Sequence, residues 1–242
     1  MEALTLPLRS LLDPVGSIPR AVESRRWFIP LLLLCLTTAG AGAMIALRLD
    51  ASRVVIPKMA MTGELMKASE REVNEAIQQA ERVALVGGIA KGLLLMPLLV
   101  LMLAVVLKIS VWLIGRKALF ADLFTVAALA MLPVAVFHGI EVLAAVRLDL
   151  ITPRVAESLV PSSLSALAEA GGALGRVYKA LDFVNLWAAV VLGLGVSAAS
   201  KWSPWRGVAF GLFLYVLFAC VVFIGLPGMM PGEGGGGMGG GR

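Results

Sequence analysis

From Trp27 onward the chain alternates long apolar runs with short clusters of charge, proline and glycine. A helix that crosses a bilayer needs about 20 mostly apolar residues. Five runs meet that requirement, at about 27–47, 92–114, 119–146, 183–200 and 207–226. The first has Arg25 and Arg26 in front, Arg48 behind and no charge between them. The second lies inside a longer apolar stretch, 83–115, whose densest part begins at Gly92. Pro97 predicts a kink in it, and the third run is built around Pro133. The pattern predicts an all-α fold, a polytopic integral membrane bundle of five transmembrane helices. The first run starts too late and is too long to be the core of a cleaved signal peptide.

Composition strengthens this reading. Of 242 residues, 59% are hydrophobic and 15% charged, and the mean hydropathy is +0.91. Soluble domains carry roughly 45–50% apolar and 25% charged residues, so a soluble fold of this size would lack the polar surface to cover its apolar content. The net charge of +5, from 21 basic and 16 acidic residues, would suggest nucleic acid in a soluble protein. Here the basic residues flank apolar runs, so membrane topology accounts for them and no nucleic-acid partner is expected. Arg9, Arg20, Arg25 and Arg26 precede the first span, Arg116 and Lys117 join the second to the third, and Lys201 and Arg206 join the fourth to the fifth. Counting these cations as inside places the N-terminus in the cytoplasm and the C-terminus out.

The segments between spans predict three further features. Residues 1–26 interleave Leu4, Leu6, Leu8, Leu11 and Leu12 with Arg9 and Asp13 before Pro14, Gly16 and Pro19. This leading segment reads as amphipathic and lying along the inner membrane surface, with a flexible tail as the alternative. In the first outer connection, Glu64 to Leu85 places Met66, Val73, Ile77, Ala80 and Ala84 at helical spacing, with Arg71 four before Glu75. That apolar face is expected to dock on the bundle, on lipid headgroups or on a partner. The second outer connection has helix starts at Thr152-Pro153 and at 161–163, which predict two short surface helices ending by Gly171-Gly172. Nine of the 26 glycines fall in the last fifteen residues, so 227–242 is predicted to be a disordered tail.

Candidate chemistry is sparse. The single histidine, His138, and Glu141 at i+3 share one face of the third span near its outer end. Ionisable groups at membrane depth are functional candidates. A structural or interfacial pair and a proton or ligand site are both compatible with the spacing. Asp122, one turn into the third span, opposes the positive helix end. Lys108 and Lys91 can snorkel from the second span to opposite interfaces. Cys35 and Cys220 fall at different depths, which argues against a disulfide. Gly88 with Gly92, Gly193 with Ser197, and Gly207 with Gly211 have the small-xxx-small spacing of close helix packing. No catalytic residue, metal-ligand set, phosphate loop or cofactor site is expected.

Four segments, Leu12-Asp13-Pro14, Trp27 to Pro30 (WFIP), Phe124 to Pro133 (FTVAALAMLP) and Leu181 to Gly195 (LDFVNLWAAVVLGLG), occur in an order that resembles the bacterial branch of the Yip1 family of five-span membrane proteins. The resemblance runs from about Leu11 to Leu226. It implies a helical integral membrane protein, residues 27–226, without known catalytic residues. Eukaryotic relatives act in vesicle trafficking with Rab-type GTPases, but their DLYGP-like signature is absent here, so that partner is not carried over. Some bacterial relatives resemble accessory subunits of ABC-type exporters of the macrolide-efflux kind. The resemblance thus implies a non-enzymatic accessory or scaffold subunit of the bacterial inner membrane, with an exporter permease and adaptor as partners. A small-solute or ion permease or channel using His138 and Glu141 is the alternative. The expected partner-contact face is Met66, Val73 and Ile77.

Overall fold

The computed structural model describes residues 2–152, 155–156, 159–163, 177–178 and 180–225. Among them every regular element is helical. The short helices α1 (Glu2–Leu12) and α2 (Pro14–Glu23) lead into α3 (Phe28–Arg48), the first span. Next come α4 (Ser52–Met61), α5 (Glu70–Ala90), a π-helical stretch (Lys91–Leu95) and α6 (Met96–Leu113). The third span is α7 (Phe120–Ala130) and α8 (Leu132–Val146), the fourth is α9 (Phe183–Ser200), and the fifth is α10 (Pro204–Ala219) with a second π-helical stretch (Cys220–Gly225). Five helical runs are long and apolar enough to cross a membrane: Phe28–Arg48, Glu70–Leu113, Phe120–Val146, Phe183–Ser200 and Pro204–Val222. The five-span, all-helical expectation holds. Below, the near face is the side on which α3 begins and α9 ends, and the far face is the opposite side.

Two prolines shape the spans differently. Pro97 has no N–H to bond the preceding turn. The helix widens just before it, with Met96 N–H reaching back to the Lys91 carbonyl, and then continues. Glu70–Leu113 is therefore one run of 44 residues, which joins the helical spacing of 64–85 to the dense apolar stretch that begins at Gly92. Pro133 instead interrupts the third span. Met131 closes α7 by bonding back to the Ala128 carbonyl, and α8 restarts with Pro133 in its first turn.

That break divides the packing. Every residue from Thr125 to Ala130 is buried, and α7 packs on α9, α6 and α2. Beyond Met131, α8 turns to α3, with a smaller contact to α9. Without water to drive apolar surfaces together, helices in lipid associate through close van der Waals packing. The small residues supply it: α5 and the π-helical stretch after it meet α3 at Gly88 against Gly42 and Gly92 against Ala39, while α10 meets α9 at Gly207 and Gly211 against Gly193, Ser197 and Ala189. All three spaced pairs are consumed within the chain.

The leading segment does more than lie on a surface. Asp13 caps α2, accepting from Gly16 N–H at 3.1 Å, with Pro14 at the first helical position, so these residues start a helix. Ile18, Ala21 and Val22 are buried, α2 packs on α9 and α7, and α1 reaches α3 and α8. Most of the connection expected to carry two short helices, and the glycine-rich tail, lie outside the described residues. Thr152 does accept from Val155 N–H at 3.3 Å, as an N-cap would.

Candidate functional site

His138 and Glu141 face each other across one helical turn of α8, as their spacing demands. Nδ1 and Oε2 are 2.6 Å apart, and the two side chains are 15% and 17% exposed. The ring of Phe137 lies beside the imidazole. Next along the helix, Gly139 and Val142 meet Thr37 and Gly40 of α3. The pair therefore sits beside the α3–α8 contact, nearly covered, and each member supplies the other's charged or hydrogen-bonding partner. This arrangement could hold a proton between two groups. Among the described residues no third ionisable side chain joins it, and no group of three or more His, Cys, Asp or Glu is placed to hold a metal.

The near face carries a second polar arrangement that joins separate elements. Asp122 in the first turn of α7 accepts from Arg25 Nε at 3.1 Å, so it ties down the leading segment besides opposing its own helix dipole. Arg25 adopts a left-handed backbone, φ +49, unusual for a non-glycine residue, between the end of α2 and the start of α3. Lys108 is exposed and reaches the near-face connection, as snorkelling would have it. Its Nζ donates to the Ala118 carbonyl at 2.7 Å, closing the α6–α7 turn. The Arg116 guanidinium lies 5.9 Å from the centre of the Trp202 ring, bringing the two short basic connections together. These long-range pairs were not readable from spacing. Arg26 Nη1 and Thr38 Oγ1 are the buried side-chain polar atoms without a partner among the described residues.

On the far face α5 extends past the end of α3. Pairing Gly88 with Gly42 and Gly92 with Ala39 sets an antiparallel register in which Arg82 is level with Arg48, the end of α3. Glu70 then lies about 12 residues, or ~18 Å, beyond that level. The tip is fixed by a capping box. Ser69 Oγ accepts from Glu72 N–H, while Ser69 N–H donates to the Glu72 carboxylate at 2.7 Å. This reciprocal Ser69–Glu72 cap is the signal that the apolar spacing overlooked. It starts the helix after Met66, which stands 94% exposed in the preceding turn. Val73 and Ile77 are on α5 and half-buried, and α4 packs against this helix. Arg71 pairs with Glu75 at 2.8 Å. Further along, Val83 and Val86 are exposed. The three residues expected to share one partner face therefore divide between turn and helix.

The Yip1 domain profile matches residues 8–226, from within α1 to just past the fifth span. The chain belongs to the Yip1 domain family. No curated protein and no solved structure matches it. In this Yip1 domain the segments that carried the resemblance are structural joints. Asp13-Pro14 starts α2, and Trp27 meets Phe124 edge-on at 5.4 Å. Pro133 sets the break in the third span. Asp182 caps α9 by accepting from Asn185 N–H at 3.0 Å, and Gly195 presses on Val126 of α7. The Yip1 family is not known as enzymatic. Its matched segments here set helix ends and crossings.

Proposed function

We propose that this multi-pass Yip1-domain membrane protein is a non-enzymatic accessory or scaffold subunit of a membrane complex in a bacterial cytoplasmic membrane. An ABC-type exporter with its permease and outer adaptor is the expected host. The supporting observation is the far-face extension of α5: a capped helix standing ~18 Å beyond the first span, braced by α4, with half-buried Val73 and Ile77 on it and exposed Met66 in the turn before it. A helix with exposed apolar positions offers anchors at i, i+3 and i+4 to a partner's groove. The sequence has no Walker-type loop and no series of ionisable residues along a span, so energy for transport would come from the partner.

A photo-crosslinking residue at Met66 or Val73, in native membranes, should form adducts with another integral membrane protein or its adaptor. The same residue at Phe213, on the lipid-facing side of α10, serves as the control. In liposomes the purified protein should move no ion or solute above background. Flux through the isolated protein, abolished by neutralising His138 or Glu141, would replace this reading with the permease. Adducts equally frequent at Phe213 and Met66 would remove the protrusion as the contact.

A further inference from the structure

Because α8 leaves the second span to pack on α3, a cleft stays open between α6 and α10. Its volume is about 470 Å³, within the ~300–1,000 Å³ of small-ligand sites. Ala130, Ala188, Ala189 and Leu192 form its buried floor, and Val106 and Phe218 stand about half exposed on its two rims. Met131 lies at its deep end, about 16 Å along the third span from the near face, which is mid-bilayer. The lining is apolar apart from two side chains. Tyr215 already donates its hydroxyl to the Ala180 carbonyl. Asn185, in the first turn of α9 at the far face, has a side-chain amide with no partner among the described residues.

We infer that this cleft binds one acyl chain of a far-leaflet phospholipid, its tail toward Met131 and its ester or headgroup at the Asn185 amide. Three observations select that occupant. The cleft opens sideways through residues that face lipid, so a bilayer lipid reaches it without crossing water. The cleft's volume, about 470 Å³, is on the scale of a small ligand. The exposed Asn185 amide, unpaired among the described residues, stands where a headgroup would be, while the deep end is wholly apolar. Leaving the cleft empty would forfeit the dispersion contacts of its lining.

The test uses the full-length protein in phosphatidylcholine nanodiscs doped with a phosphatidylcholine bearing a mid-chain photoreactive diazirine, with adducts mapped by mass spectrometry. Leu192 is 7% exposed and is out of reach of bulk lipid, so adducts there report the cleft. Met102, exposed on α6, reports bulk contact. Adducts are expected at Leu192, falling about tenfold in Ala188→Phe, which fills the floor, while those at Met102 stay constant. Leu214→Trp, from the opposite wall, replaces Ala188→Phe if that variant does not fold as judged by gel filtration. The proposal is overturned if wild-type adducts are confined to surface residues such as Met102, or if filling the cleft leaves the Leu192 adducts unchanged. It is equally overturned if a diazirine-bearing free fatty acid labels Leu192 and the phospholipid does not, or if a photo-crosslinker at Leu192 captures this chain's own C-terminal segment or a second copy.

Discussion

Gly42 on the first span and Gly88 on the second stand main chain to main chain. A Cβ built on Gly42 would lie 2.7 Å from Gly88 Cα, and one built on Gly88 would lie 2.6 Å from the Gly42 carbonyl carbon. Contacts so close require glycine on both sides, and they set the register that carries α5 beyond the end of α3.

Gly88→Leu and Gly42→Leu should therefore each destabilise the protein by about 1–3 kcal/mol, the range for overpacking a tight contact. Gly87, one residue away, has open space where a Cβ would go. Gly87→Ala should be neutral or gain up to about 1 kcal/mol from helix propensity. Unfolding in mixed micelles with increasing denaturing detergent measures all three. A Gly88→Leu curve that overlays the wild type would show that the two helices are not held by this contact.

The α5 tip should respond to acid. The backbone N–H and the hydroxyl of Ser69 donate to the Glu72 carboxylate and hold it below the ordinary glutamate range. At the end of the first span, Asp50 is lowered in the same way, first by the Ser52 hydroxyl and then by Arg53. A carboxylate depressed in the folded state stabilises fully above its unfolded value, about 4, and that contribution disappears as pH falls through the lower folded value. Amide exchange at Glu72 and Val73, corrected for intrinsic rates, should accelerate below about pH 4 in the wild type. Glu72→Gln, which keeps a capping side chain but cannot ionise, should flatten the profile. An unchanged profile in that variant would remove Glu72 as the cause.

For His138 and Glu141 the expected role is packing. Replacing both with Gln keeps an i,i+3 hydrogen bond without charge. Expression and partner crosslinking should persist, with stability changed by no more than about 1 kcal/mol. A correctly folded double variant that is inactive in every functional assay would instead make the pair a proton or ligand site.

The basic residues of the near face predict that it is cytoplasmic. Alkaline phosphatase fused after residue 230 should be active, and the same reporter fused after Lys117 should be inactive. The reverse pattern would invert the protein in the membrane.

The spans were legible because lipid imposes a length and an apolar content on each one separately. Pro133 and the small-residue spacings were legible for the same local reason: a missing N–H and a missing side chain act where they stand. What the spacing could not supply was the partner. Gly88 and Gly92 signal a close approach, but nothing in their neighbourhood points to Gly42 and Ala39. Arg25 and Asp122 are 97 positions apart and become neighbours only after α2 docks. The docking itself was hidden because α1 and α2 carry enough charge and proline to resemble a surface segment. The start of α5 was local information, and the Ser69–Glu72 pair outweighs the apolar spacing that drew Met66 into the helix.

The division of the third span at Met131 also orders assembly during synthesis. When this span enters the bilayer its second half finds α3 already in place, while its first half must wait for α9, which emerges only after the long following connection. Until then the alanine-rich surface of α7 is open on the side that the fourth span will cover. A chain released after the third span would thus be an incomplete bundle with an accessible interior, a ready substrate for membrane-bound proteases. Its lifetime, followed by pulse-chase, should be much shorter than that of the full chain.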